Sequence, residues 1–92
     1  MTSITRHLRI SGRVQGVGYR YYMSRKARQI GITGWVRNRA DGTVEAMVCG
    51  TPDLVASIVA WAHHGPARAG VAGVDIAEGS GEFAAFATLP TA

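Results

Sequence analysis

The stretch RHLRISGRVQGVGYRYYMSRKARQIG, residues 6–31, changes period in its middle. Up to Val14 it alternates: Leu8, Ile10 and Val14 point one way, His7, Arg9, Ser11 and Arg13 the other, which is the pattern of a half-buried strand. From Tyr19 the apolar residues fall at Tyr19, Met23, Ala27 and Ile30, the face of a helix. Lys26 and Arg28 suit the C-terminal half of that helix, and Gly31 its stop. The start of the helix is unusual. Gly18 sits at the cap position and brings no side-chain acceptor, while Arg20 adds a cation to the positive pole, a local cost of up to ~1 kcal/mol. An anion cradled by the loop N–H groups and the guanidinium would offset that cost. A tight turn at Gly16 and Gly18 with Arg20 in solvent accounts for the same residues about as well. The glycine spacing is neither G-x-G-x-x-G nor G-x-x-x-x-G-K-[ST], so nucleotide binding gains little support.

Working outward, ITGWV reads as a second strand leading into Arg37 and Asn38, and RADG supplies Asp-Gly turn chemistry. TVEAMVC alternates again, with Val44, Ala46 and Val48 inward and Glu45, Met47 and Cys49 outward. TPDLVASIVAWAHHG is the best-punctuated helix: Thr51 caps it, Pro52 opens it, Asp53 is a favourable first-turn acid, and Gly65-Pro66 stops it. Its core stripe is Leu54/Val55, Ile58/Val59 and Trp61/Ala62. GVAGVDI reads as a fourth strand weakened by Gly70 and Gly73, and EFAAFATL as a short final one. The order β-α-β-β-α-β with an extra C-terminal strand predicts an α+β, ferredoxin-like sandwich. Two helices pack on one face of a mainly antiparallel sheet of four to five strands. In that topology the first two strands are parallel but not adjacent, so the Gln15–Arg20 loop and Asn38 meet at one edge of the sheet.

Ninety-two residues fit a single domain, expected to span 1–92. The hydrophobic fraction of 47% argues against disorder. The N-terminus has no apolar core for a signal peptide, and the apolar run at 54–62 is far short of the roughly 20 residues that span a bilayer. Cys49, the one cysteine, has no internal disulfide partner. A cytoplasmic, monomeric protein with no membrane partner is expected. Nine of the ten Lys/Arg residues lie in positions 1–39, whereas all six Asp/Glu residues lie after position 40. An anionic ligand at the basic part is one explanation, and an Arg-rich solvated surface accounts for most of the individual arginines.

Two stretches match a known pattern. ISGRVQGVGYR, residues 10–20, resembles the phosphate-loop signature of the acylphosphatase family, and GWVRNRADGTVEAMVCG, residues 34–50, resembles its second signature. The likeness covers the chain from Arg6 to about Phe86. It implies hydrolysis of acyl phosphates to carboxylate and phosphate, with no cofactor, metal or covalent intermediate. Carried over by position, it implies a backbone cradle at Gln15, Gly16, Val17, Gly18 and Tyr19, a phosphate-binding guanidinium at Arg20, and a water-orienting amide at Asn38. The chemistry agrees with these residue types. A carboxylate leaving group, with a pKa of about 4–5, needs little acid help, and phosphoryl transfer rests on positioning and charge stabilisation. Tyr19 stands where the family usually has phenylalanine, and Thr88 where an apolar strand residue is expected, so the last strand is expected to fray.

Other residues support blander readings. His63 and His64 point in different directions on a helix end whose dipole suits them. Cys49 lacks a basic helper. Trp35 and Trp61 are packing aromatics, with Trp35 near enough to Asn38 to brush an acyl group; Tyr21 and Tyr22 are expected to be partly exposed. Arg37 and Arg39 flank Asn38, where they either steer anions or sit in a solvated turn. The same fold plan also serves RNA-binding modules, but the outward residues of the third strand include no aromatic, so no nucleic-acid partner is expected. A non-catalytic anion-binding or regulatory domain is the remaining alternative, and a chain running from Met1 to Ala92 without a linker favours an independent enzyme.

Overall fold

A computed structural model describes residues 2–92; Met1 lies outside them. The elements follow in the order β1 (Ile4–Arg13), α1 (Tyr19–Ile30), β2 (Thr33–Asn38), β3 (Val44–Gly50), α2 (Pro52–Ala62), β4 (Gly70–Glu78) and β5 (Phe86–Thr88). They build one five-stranded sheet in the order β4-β1-β3-β2-β5. β3 is antiparallel to both β1 and β2, so those two run the same way with β3 between them. Val44 is the common reference, since it pairs with Ile10 of β1 and with Asn38 of β2. The ends of β1 and β2 therefore lie at one edge of the sheet.

The period-two pattern of the strands decides which face is buried. Leu8, Ile10, Val36, Val44, Ala46 and Val48 are fully buried under the helices. They meet Tyr19, Met23 and Ala27 of α1, and Val55, Ile58 and Ala62 of α2. α1 starts as the sequence predicts, with a left-handed Gly18 (φ 84°) as cap, no side-chain capping bond and no acid in its first turn. It ends on a left-handed Gly31, whose N–H donates to the Ala27 carbonyl. Thr51 caps α2 by accepting from the Leu54 N–H at 3.4 Å. The β2–β3 turn is held by Asp41 Oδ1, which accepts from the Thr43 N–H at 3.0 Å and from its hydroxyl at 2.6 Å.

The chain end differs from expectation. The last strand is limited to Phe86–Thr88 and runs parallel to β2. Thr88 does not leave it frayed, because its hydroxyl meets Ser24 Oγ of α1 at 3.0 Å, a polar contact in place of an apolar one. Beyond it, Leu89 N–H donates to the Val36 carbonyl at 2.9 Å, and Ala92 N–H to the Asn38 carbonyl at 3.0 Å. The Ala92 carbonyl in turn accepts from Ala40 N–H at 2.9 Å.

The open face of the sheet holds an ion cluster. Glu45 Oε2 accepts from His7 Nε2 at 2.6 Å, and its Oε1 from Arg37 Nε at 2.8 Å and Arg39 Nη1 at 3.3 Å. Glu45 is 8% exposed. Burial alone would raise its carboxyl pKa, but the bonds from His7 and Arg37 outweigh burial and bring it down to about 2. Arg37 and Arg39 are thus tied to Glu45 rather than free in the turn, and Arg37 also lies over the Trp35 ring, 4.9 Å from its centroid.

Candidate active site

Past Arg13 the chain must reverse to start α1, and the loop does so with Gly16 at φ 72° and Gly18 at φ 84°. Both values are costly for any residue with a Cβ, and at Gly18 an added Cβ would also stand 3.3 Å from the Tyr22 ring. Val17 between them has negative φ, so left-handed and ordinary residues alternate. Glycine-shaped turns of this kind at a helix start are where backbone nests suited to anions form. Among the described residues, no N–H from Gly16 to Tyr21 donates to a backbone or side-chain acceptor. The helix pole adds its partial positive charge at the same place.

A cleft of about 290 Å³ opens there, lined by Val14, Gly16, Gly18, Tyr19, Arg20, Tyr21, Asn38 and Thr88. The loop, the arginine and the asparagine, eighteen residues apart from Arg20 to Asn38, therefore share one cleft. Arg20 makes no ion pair or side-chain hydrogen bond with any described residue. Asn38 Oδ1 is buried and likewise has no hydrogen-bond partner. A buried acceptor left unpaired costs about 1–3 kcal/mol.

Three residues of the predicted cradle have side chains engaged elsewhere. The side chain of Gln15 turns away, and its Nε2 donates to the carbonyls of Arg39 (2.8 Å) and Thr43 (2.9 Å). It straps the loop to the β2–β3 turn just beyond Asn38. Val17 is 5% exposed and joins the core, with its side chain beside a separate groove shared with Tyr22, Trp61 and Pro66. Tyr19 is buried, its hydroxyl donates to the Ala62 carbonyl at 2.7 Å, and its ring lies 5.2 Å from that of Trp61. Burial pushes its phenol well above the usual range. The hydroxyl absent from phenylalanine thus ties the start of α1 to the end of α2.

Trp35 does not line the cleft. It pairs with Met47 on the open face, the opposite side of β2 from Val36 and Asn38. Val14, Tyr21 and Thr88 line it without having been singled out by motif. Thr88 carried a signal all the same, as a polar residue where the strand pattern asked for an apolar one.

The family model for acylphosphatase matches residues 6–88. An acylphosphatase of Thiobacillus denitrificans is 55% identical over 89% of this chain and 92% of its own length. One from an Azoarcus species is 50% identical over 98% and 93%. The solved structure of an acylphosphatase from Coxiella burnetii superposes with a TM-score of 0.90 at 33% identity, covering 95% of this chain and 93% of that one.

Proposed function

The chain belongs to the acylphosphatase family, enzymes that hydrolyse acyl phosphates, and we propose how its own residues carry that reaction. The phosphate of the substrate sits in the cleft against the backbone N–H groups of the Gln15–Tyr19 loop. Arg20 clamps it with two parallel bonds from its guanidinium fork. Asn38 holds the attacking water through its amide and aims it at phosphorus. The oxygen of water bonds to phosphorus as the bond to the acyl oxygen breaks. The carboxylate leaves with that electron pair, and the proton of the water passes to a phosphate oxygen. No group on the protein needs to act as a strong base, and neither a metal nor a covalent intermediate takes part. Residues 1–92 act as one domain, a monomer of the cytoplasm that takes a small acyl phosphate and neither nucleic acid nor membrane as partner.

One observation supports this reading above the others. Asn38, whose buried Oδ1 has no hydrogen-bond partner among the described residues, lines the same cleft as an arginine with no partner among them and a helix start with no capping side chain. Charge that spreads over the phosphoryl oxygens in the transition state meets donors already in place, which is where enzymes gain most. Hydrolysis of benzoyl phosphate in EDTA and heavy-oxygen water tests it. The expected result is rapid turnover with the label in inorganic phosphate. Label in benzoate would move the attack to the carbonyl, and no turnover by folded protein would leave an anion-binding domain.

A further inference from the structure

The groups assigned above read the phosphate, and the acyl half of the substrate must leave the cleft through its mouth. Among the lining residues, Val14 and Tyr19 are each 1% exposed, and the Thr88 hydroxyl is engaged by Ser24. Tyr21 is different: it lines the same cleft as Arg20 and Asn38 and is 60% exposed. Its neighbour Tyr22 is 46% exposed, and among the described residues the one other large exposed apolar side chain is Ile76 on β4.

Single exposed apolar residues on a surface need no explanation, but an exposed aromatic that lines a candidate site and packs on a second exposed ring does. The Tyr22 ring rests beside Gly18. The Tyr21 ring meets that of Tyr22 nearly edge-on, with centroids 5.1 Å apart at 79°. One helical turn on, the Arg25 guanidinium lies 5.9 Å from the Tyr21 centroid, within cation–π range. Tyr21 is thus steered from two sides while most of its surface stays open beside the phosphate cradle.

We propose that Tyr21, braced by Tyr22, is the acyl-reading element of this site, and that it favours aryl over short alkyl acyl phosphates. This rests on the reading of the cleft as the acyl phosphate site. An aryl ring conjugated to the acyl carbonyl is flat and extends outward from the phosphate, where it meets the Tyr21 ring in an offset or edge-on contact. A methyl group is too short to do so. Such an aromatic contact corresponds to about a two- to tenfold preference.

The test compares kcat/KM for benzoyl phosphate and acetyl phosphate in the wild type and in Tyr21→Leu, Tyr21→Phe and Ile76→Ser. The ratio between the two substrates cancels their shared phosphate chemistry. Expected is a ratio that falls about fivefold in Tyr21→Leu, chiefly through KM for benzoyl phosphate, and is kept by Tyr21→Phe and by Ile76→Ser. Inhibition by inorganic phosphate, which has no acyl group, should move less than about twofold in Tyr21→Leu, a result that a loosened helix start would not give. A ratio unchanged in Tyr21→Leu removes this inference alone. A folded wild type that turns over neither compound removes the acylphosphatase reading and this inference with it.

Discussion

The two halves of the cleft are built by opposite means. The cradle is local: residues 16–20 follow one another, two left-handed glycines set their path, and the helix they open supplies the field. Asn38 is placed by contacts from far along the chain. Gln15 bonds to the carbonyls on either side of the turn that follows it, and Ala92 bonds to its own carbonyl. On the proposed mechanism, local geometry makes the phosphate seat, and distant segments aim the asparagine. The seat should survive damage that disturbs the aim.

Substitutions can break that division. The largest effect is expected in the seat, where Arg20→Ala should lower kcat/KM by roughly a thousandfold and weaken inhibition by inorganic phosphate with it. Steady-state kinetics with phosphate as inhibitor reads both. A variant that lost turnover but kept phosphate inhibition would move Arg20 out of the binding role.

A smaller effect should come from the chain end. Ending the protein after Thr88 removes the bonds that Leu89 donates to Val36, Ala92 donates to Asn38, and Ala40 donates to Ala92. The expected result is about a tenfold loss of kcat, since a small misplacement of a positioned group is costly, with phosphate inhibition retained. In an Asn38→Ala background the same truncation should cost nothing further. An equal loss there would show that the tail supports the fold at large and not the asparagine.

The smallest effect on catalysis, and none expected on the seat, belongs to Glu45. Its carboxyl is held at about 2 in the fold against an ordinary 4.5, so the folded state favours the ionised form. Stability from this group is full above about pH 4.5 and drains away as pH falls toward 2. Between pH 6 and pH 3 the loss should be about 2 kcal/mol in urea unfolding, and Glu45→Gln should flatten it. A wild-type profile no steeper than that of Glu45→Gln would contradict the assignment.

This contrast also explains what could be read from the sequence. The helix face at Tyr19, Met23 and Ala27, the stop at Gly31 and the cap at Gly18 are local periodicities and turn requirements, and they stand as predicted. So does the meeting of the loop with Asn38, because the strand order brings their ends to one edge. Thr88 was another matter. Its bond to Ser24 spans sixty-four positions, and no spacing rule shows which hydroxyl across the fold awaits it. The Gln15 strap was hidden for the same reason, since a loop amide looks alike whether it faces a ligand or two distant carbonyls. Arg37 and Arg39 looked free because Glu45 becomes their partner only when β2 and β3 pair.

The central claim is that Asn38 aims the water while the cradle and Arg20 hold the phosphate. Its most direct test is Asn38→Ala, with kcat on benzoyl phosphate and inhibition by inorganic phosphate measured on the same preparation. The account predicts a kcat lower by about a hundredfold or more, with the inhibition constant changed by less than about twofold. Wild-type turnover, or a parallel loss of phosphate affinity, would contradict it.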